Sequence, residues 1–209
     1  MTLTVPCLFG LESLVADEMK RLQLKNVRAE NGRVHCTGSY ADIARLNISL
    51  RCGARVLMEL GSFPARDFEA LFQGVLALPL EDYIPKDGEF PVKGYSLNST
   101  LHSVPACQAI VKKAAAKRMG NAYGCETLPE TGSRYQIQFA IIKDVATLYL
   151  DTSGDGLYKR FFVVVVPFLT IGYYKNKKYL EATNGEFTDD PISDESDYSD
   201  SAKYVKAVE

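Results

Sequence analysis

The chain has 209 residues, of which 46% are hydrophobic and 11% aromatic, with no tryptophan. This length and composition support one or two domains with hydrophobic cores and exclude a chain that is disordered throughout. The formal charge of −2 hides an asymmetry, because residues 1–180 carry 22 basic and 17 acidic side chains whereas residues 181–209 carry two lysines and nine acids.

Six elements are predicted over residues 1–64. Alternating apolar residues predict strands in TLTVPC, KNVRAE, RVHCTG and ARVLMELGSF, and helical spacing predicts helices in GLESLVADEMKRL and in SYADIARLNISLR, the latter capped by Ser39. Asn31-Gly32 predicts a two-residue hairpin turn with positive φ at both positions. The order βαββαβ predicts a ferredoxin-like domain.

A second unit is predicted over residues 65–160. RDFEALFQGVLALP predicts a helix that Pro79 ends, and EDYIPKDGEFPVKGYSLNS predicts a turn-rich lead into an extended segment. SRYQIQFAIIKDVATLYLD predicts a β-hairpin with its turn at Lys143-Asp144. The fold class is therefore α+β, with helices and strands mixed in both units.

The segment between the extended stretch and this hairpin predicts a helix with a well-specified start. Ser103 has the position of an N-cap and Pro105 lies in the first turn, where its missing amide hydrogen costs nothing. At about 100° per residue, one face is apolar, and the lysines fall on the flanks and back, towards water. The apolar face consists of Cys107, Ile110, Val111 and Ala114.

Basic residues dominate this helix and its surroundings. No acid occurs between Lys93 and Glu126, which is typical of a phosphate-binding segment, although a solvated surface of a core-packed helix is the alternative. His102 precedes the helix and either contacts a phosphate or caps the turn. The predicted RNA-binding residues are Lys93, His102, Ser103, Lys112, Lys113, Lys117, Arg118, Lys159 and Arg160.

Other sites receive less support from the sequence. His35 lies in a strand pattern and is interpreted as structural, and Cys107 on an apolar face as a core residue. Gly154 and Gly156 predict a tight polar turn, because no third glycine and no helix follow as a nucleotide-binding loop would require. We predict no catalytic residue and no metal site. The five scattered cysteines and the absence of a signal-peptide pattern favour free thiols in the cytoplasm.

A longer resemblance rests on quoted stretches of the chain. LHSVPACQAIVKKA, preceded by KGYSLNS and followed by ETGSRYQIQFAIIKDVATLYLDTSGDGLYKR, resembles the THUMP region of bacterial methyltransferases that modify the exocyclic N2 amine of a guanine in large-subunit ribosomal RNA. TVPCLFGLESLVADEMKRL and ELGSFPARDFEALFQGV resemble the ferredoxin-like domain of that family and its link to THUMP. The resemblance covers residues 1–160 and implies an RNA-binding front end with structured, ribosomal RNA as partner.

The chain departs from that family after residue 160. The resemblance implies a Rossmann-like domain that binds S-adenosylmethionine and carries an Asn-Pro-Pro-aromatic motif, but no Pro-Pro occurs in the chain and the 49 remaining residues are too few for such a domain. FFVVVVPFLTIGYY, at 14 residues, is shorter than the roughly 20 of a membrane span and predicts a strand, and TDDPISDESDYSDS predicts an acidic disordered end. A gene rearrangement would explain this unrecognised segment.

Two functions remain open from the sequence. The chain is either an RNA-binding module without activity, or a subunit or truncated form of an RNA methyltransferase that needs a separate catalytic domain. A nonfunctional remnant is a third interpretation. We expect no cofactor in this chain itself and no membrane partner.

Overall fold

The computed structural model describes residues 1–154 together with Gly156, Leu157 and Lys159. The predictions for Arg160 and for residues 161–209 lie outside these described residues. Within the described part, no helix is both long and apolar enough to cross a lipid bilayer.

The first six elements follow the predicted order βαββαβ. Ser39 forms a reciprocal capping box with Asp42 at the start of the second helix, as the sequence indicated for Ser39. The bounds are β1 Thr2–Pro6, α1 Glu12–Arg21, β2 Lys25–Glu30, β3 Arg33–Thr37, α2 Tyr40–Ser49 and β4 Leu57–Pro64. The strand order β2-β3-β1-β4, antiparallel throughout, is that of a ferredoxin-like sheet, so the predicted fold is confirmed.

The second half supplies three helices and three strands. Asp67 caps the first of the helices, with its side chain accepting a hydrogen bond from the Ala70 amide at 2.7 Å. The bounds are α3 Phe68–Ala77, a short 3-10 helix Leu80–Asp82, β5 Val92–Leu97, α4 Val104–Tyr123, β6 Ile137–Ile142 and β7 Val145–Asp151. The hairpin predicted around Lys143-Asp144 is formed by β6 and β7.

One seven-stranded sheet runs through both halves in the order β2-β3-β1-β4-β7-β6-β5. Strand β4 joins the halves, because it pairs antiparallel with β1 on one side and with β7 on the other. Only β5 and β6, among the described strands, pair in parallel. The boundary predicted after residue 64 therefore falls at the end of a strand that both halves share.

The main core lies on one face of this sheet, beneath the helices. Strand β6 points Ile137, Phe139 and Ile141 into it, and α4 contributes Cys107 and Val111, as the apolar periodicity predicted. All of these side chains are at most 1% exposed. The side chains that alternate with them along β5, β6 and β7 consequently lie on the opposite face of the sheet.

Two hairpin turns differ from each other in backbone conformation. At Asn31-Gly32 only Gly32 has positive φ, at 74°, so the expectation of positive φ at both positions was wrong, although the hairpin itself forms. At Lys143-Asp144 both residues have positive φ, at 51° and 61°, without a glycine. Left-handed backbone at non-glycine residues is strained, and surrounding contacts must hold it in place.

We predict that Gly94→Ala destabilises the fold whereas Ser96→Ala does not. A Cβ at Gly94 would lie 2.3 Å from the backbone oxygen of Phe139 on the paired strand, so the substitution should lower the free energy of unfolding by about 3 kcal/mol. Ser96 lies on the same face of β5, and its buried hydroxyl has no hydrogen-bond partner among the described residues, so its removal should be neutral or stabilising. Thermal melts of both variants test the pair, and equal losses would contradict the close packing at Gly94.

Candidate nucleic-acid interface

Helix α4 begins as the sequence predicted. The Ser103 hydroxyl accepts a hydrogen bond from the Ala106 amide at 3.4 Å, and Pro105 lies in the first turn. Both His102 and Ser103 are exposed, at the end of the sheet where β6 turns into β7. The start of α4 therefore presents polar groups to solvent, with one of its unpaired amides already satisfied by Ser103.

Lys112 is held by three groups of the protein. Its Nζ lies 2.6 Å from the Glu130 carboxylate, donates to the backbone oxygen of Phe90 at 3.2 Å, and sits 3.5 Å from the centroid of the Phe90 ring. The sequence predicted that Lys112, Lys113 and Lys117 all point to water, and this does not hold for Lys112. Its charge is compensated by an acid from the loop that follows α4 and by a cation–π contact.

Arg118 is engaged in the same way on another side of the helix. Its Nε donates to one oxygen of the Glu81 carboxylate at 2.9 Å and its second terminal nitrogen donates to the other oxygen, which makes the pair bidentate. The hydrogen bonds from Arg118 lower the pKa of Glu81 below its ordinary value. Arg118 therefore ties α4 to the 3-10 helix in which Glu81 lies.

Lys113 and Lys117 are the exposed cations of α4. They are four residues apart, so they lie one above the other on the same side of the helix. Lys117 also lies near an aromatic side chain of α3, with its Nζ 5.5 Å from the centroid of the Phe72 ring. These two lysines keep the solvent-facing position that the phosphate-binding prediction requires.

Lys93 and Lys159, which were also predicted, lie elsewhere on the molecule. Lys93 is exposed on β5, but it points to the face of the sheet opposite the core and α4. Lys159 is exposed beyond β7, at the other end of the sheet from His102. The chain is held near this point by the Leu157 amide, which donates to the backbone oxygen of Ala54 at 2.9 Å. Arg160 lies outside the described residues. The structure thus separates the predicted residues into different places on the surface.

Two exposed cations near His102 were not predicted. Arg66 and Lys143 belong to segments that meet the loop before α4, because the Thr100 hydroxyl donates to the backbone oxygen of Arg66 at 2.6 Å and the Thr100 amide donates to the Asp144 carboxylate at 2.7 Å. These contacts join residues 34 and 44 positions apart. No local sequence pattern predicts these two contacts, although the turn at Lys143-Asp144 was itself predicted.

His35 and Cys107 have the structural roles that the sequence indicated. The Nδ1 of His35 lies 2.9 Å from the Thr4 hydroxyl of the neighbouring strand, and Cys107 is fully buried. Burial raises the pKa of the Cys107 thiol, which disfavours the thiolate that a nucleophile needs. All five cysteines are free thiols.

The described residues do not form a Rossmann-type site for S-adenosylmethionine. A site of the Rossmann type needs a glycine-rich turn between a strand and a helix, where backbone amides approach the ligand closely. The four strand-to-helix connections, residues 7–11, 38–39, 65–67 and 98–103, each contain one glycine or none. No catalytic step is therefore derived from this part of the chain.

The fold by itself defines a class of protein: a ferredoxin-like domain whose sheet continues into a second α+β domain with a basic helix. Residues 2–57 match the family described as the RlmL ferredoxin-like domain, and residues 65–151 match the THUMP domain family. Over these residues the chain belongs to those two domain families.

Relatives with known sequences or structures match this chain over only part of their own, longer chains. The chain is 38% identical over 161 residues to the Bacillus subtilis protein named Putative RNA methyltransferase YpsC, covering 76% of this chain and 42% of that protein. It is 28% identical over 162 residues to Ribosomal RNA large subunit methyltransferase K/L of Pseudomonas aeruginosa, covering 76% of this chain and 22% of that protein. The chain thus spans less than half the length of either relative.

A solved structure also matches this chain over less than half of its own length. The crystal structure titled a predicted N6-adenine-specific DNA methylase from Listeria monocytogenes superposes with a TM-score of 0.74 at 44% sequence identity. The match covers 78% of this chain and 43% of the Listeria chain. The names of the three relatives agree on methyl transfer and differ on whether RNA or DNA receives the methyl group.

We predict that Glu81→Gln weakens the fold near neutral pH and that the difference shrinks in acid. Since Arg118 lowers the folded-state pKa of Glu81, the ionised carboxylate stabilises the fold above about pH 4.5, its ordinary pKa, and this contribution is lost as the pH falls through the folded pKa. The variant should be about 1 kcal/mol less stable than wild type at pH 7. Urea unfolding at pH 7, 5 and 3.5 measures the difference.

The control for this experiment is Glu126→Gln, which removes an exposed glutamate from the loop after α4. It should match wild type at every pH. A Glu81→Gln variant that equals wild type at pH 7, or that falls further behind in acid, would refute the stabilising role of the Arg118 pair.

Proposed function

We propose that the chain binds structured RNA and is the substrate-binding front end of an S-adenosylmethionine-dependent ribosomal RNA guanine-N2 methyltransferase. The observation that supports this most directly is the THUMP domain at residues 65–151, a domain that binds RNA, adjoining an RlmL-type ferredoxin-like domain. The same pair of domains accounts for the similarity to a protein named for ribosomal RNA methylation. For this reason RNA is favoured over DNA, the substrate class for which the Listeria protein is named.

Contact with RNA is assigned to the cations that the protein leaves exposed. Lys113 and Lys117 form a pair on α4 that can neutralise neighbouring phosphates. His102 lies just before the N-terminus of the same helix. Lys112 and Arg118 contribute indirectly, because their ion pairs fix α4 in place. Lys93 and Lys159 remain predicted contacts in other places on the surface, and Arg160 remains a predicted contact outside the described residues.

Methyl transfer is assigned to a separate catalytic domain, which would hold S-adenosylmethionine and receive the RNA positioned by this chain. The relatives are named as methyltransferases and are more than twice as long as the segment they share with this chain. Since the described residues offer no glycine-rich cofactor turn, we propose no activity for them alone. The setting would be the cytoplasm, where ribosomal RNA is modified.

We predict that the double substitution Lys113→Ala/Lys117→Ala flattens the salt dependence of RNA binding. For single strands the slope of log affinity against log salt is about −0.7 per neutralised phosphate, so loss of two contacts should change it by roughly 1.4. Sequence preference should hardly change, because phosphate contacts do not read bases. The measurement is fluorescence anisotropy with a hairpin RNA that carries a single-stranded end, over 50–300 mM salt.

Lys112→Met provides the matched control on the same helix. It removes one positive charge that Glu130 already compensates, so it should lower the melting temperature and leave the salt slope unchanged. A slope that responds to Lys112→Met and not to the double variant would refute the assignment. Equal affinity for duplex DNA of the same length would favour DNA, as in the name of the Listeria protein, over RNA.

A further inference from the structure

The outward face of β5 carries an exposed aromatic residue between a lysine and a leucine. The described helices bury their apolar side chains against one face of the sheet, and Val92, Gly94 and Ser96 lie on that face. The alternate residues of β5 are therefore on the opposite face. They are Lys93, Tyr95 and Leu97.

Tyr95 and Leu97 continue into an apolar strip that crosses β6 at the half-buried Ile142 and reaches the exposed Val145 of β7. Tyr95 is 44% exposed and Leu97 54%, and Leu97 is in register with Ile142, which is in register with Val145 at 43% exposure. Isolated exposed apolar residues are normal on protein surfaces, but a contiguous group with an aromatic member marks an interaction site. We define the base strip as Tyr95, Leu97, Ile142 and Val145.

Lysines flank the base strip on both sides. Lys93 lies two residues before Tyr95 on the same face of β5, about 7 Å away along the strand. Lys143 occupies the turn between Ile142 and Val145 and is exposed. The apolar surface is thus narrow and bordered by positive charge, which complements a polyanion with flat apolar groups.

The turn that presents Lys143 is strained and fixed. Lys143 and Asp144 both have positive φ, a conformation that glycine and asparagine adopt far more readily. The Asp144 carboxylate accepts hydrogen bonds from the Thr100 amide at 2.7 Å and from the Ser99 hydroxyl at 2.8 Å, and these lower its pKa. The acid of the turn is thereby tied to the loop before α4.

We propose that the base strip binds unpaired RNA bases, with the Tyr95 ring stacking on a base and Lys93 and Lys143 contacting the adjoining phosphates. This inference rests on the proposed RNA-binding function and adds a second contact surface to it. An exposed aromatic residue on a sheet, next to cations, is a common platform for single-stranded RNA. A protein partner is disfavoured, since lysine is depleted in protein–protein interfaces.

Tyr95→Trp gives a direct optical test, because the chain contains no tryptophan and the substitution creates a single reporter. Stacking of a base on the indole should quench its emission when a 12-nucleotide single-stranded RNA is added to the full chain. Heparin, a polyanion without bases, should not quench it at a concentration that displaces the RNA. Tyr40→Trp, at a tyrosine that is 66% exposed on α2, is the matched control and should show no quenching.

Affinity measurements complete the test. Tyr95→Ala should weaken binding of the single-stranded RNA by about 5- to 150-fold, Tyr95→Phe should keep it within about threefold, and Tyr40→Ala should have no effect. Thermal melts check that each variant is folded. We expect this, because both tyrosines are exposed.

The outcomes separate this inference from the proposed function. A wild-type chain that binds no RNA removes both. RNA binding by wild type, together with unchanged indole emission from the Tyr95→Trp variant and unchanged affinity of Tyr95→Ala, overturns the base strip alone. Sedimentation that shows wild-type dimers and Tyr95→Ala monomers would also overturn it, by assigning the strip to contact between two copies of the chain.

Discussion

The pairing of β4 with β7 is the contact on which the rest of the structure depends. Strand β4 pairs with β1 of the ferredoxin-like part and with β7 of the THUMP part, and among the described strands the β4–β7 ladder alone joins the two parts. At the start of this ladder Arg55 donates to the Asp151 carboxylate at 2.5 Å, and Gln138 donates to it at 3.0 Å. The Asp151 side chain is only 1% exposed, and a buried carboxylate that lost its partners would be strongly destabilising. This end of the ladder therefore fixes the register, and with it the positions of β5 and α4.

Charge compensation divides the cations of α4 into two groups. Glu130 and Glu81 reach Lys112 and Arg118 from segments after and before the helix, so these cations stabilise the packing of α4. Lys113 and Lys117 lie on the side that neither acid reaches and stay exposed. The number of basic residues in a stretch without acids is therefore only an upper limit on the number of unpaired positive charges on the folded helix.

Local pattern was enough to predict most of the fold, because strand alternation, helical periodicity and caps such as Ser39 and Ser103 act within a few residues. The shared sheet was not predictable in this way, since the β4–β7 ladder joins residues about 80 to 95 positions apart. The candidate site shows the same limit. The sequence placed Lys93 with the lysines of α4, whereas the alternation of β5 turns Lys93 to the other face of the sheet.

The position of β5 at the end of the described sheet gives the two proposed RNA contacts a common geometry. Helix α4 contacts the main core on one face, and Tyr95 lies on the other, so a single RNA strand that touches Lys113 and Tyr95 must pass around the outer edge of β5. Among the described strands β5 lies at the edge, and backbone groups on its outer side that pair with no described strand can hydrogen-bond to a polar ligand that passes along it. Duplex RNA is too thick to turn around one strand, whereas a flexible single strand can do so. The geometry of the two proposed contacts therefore favours an unpaired end or loop of a structured RNA at this edge.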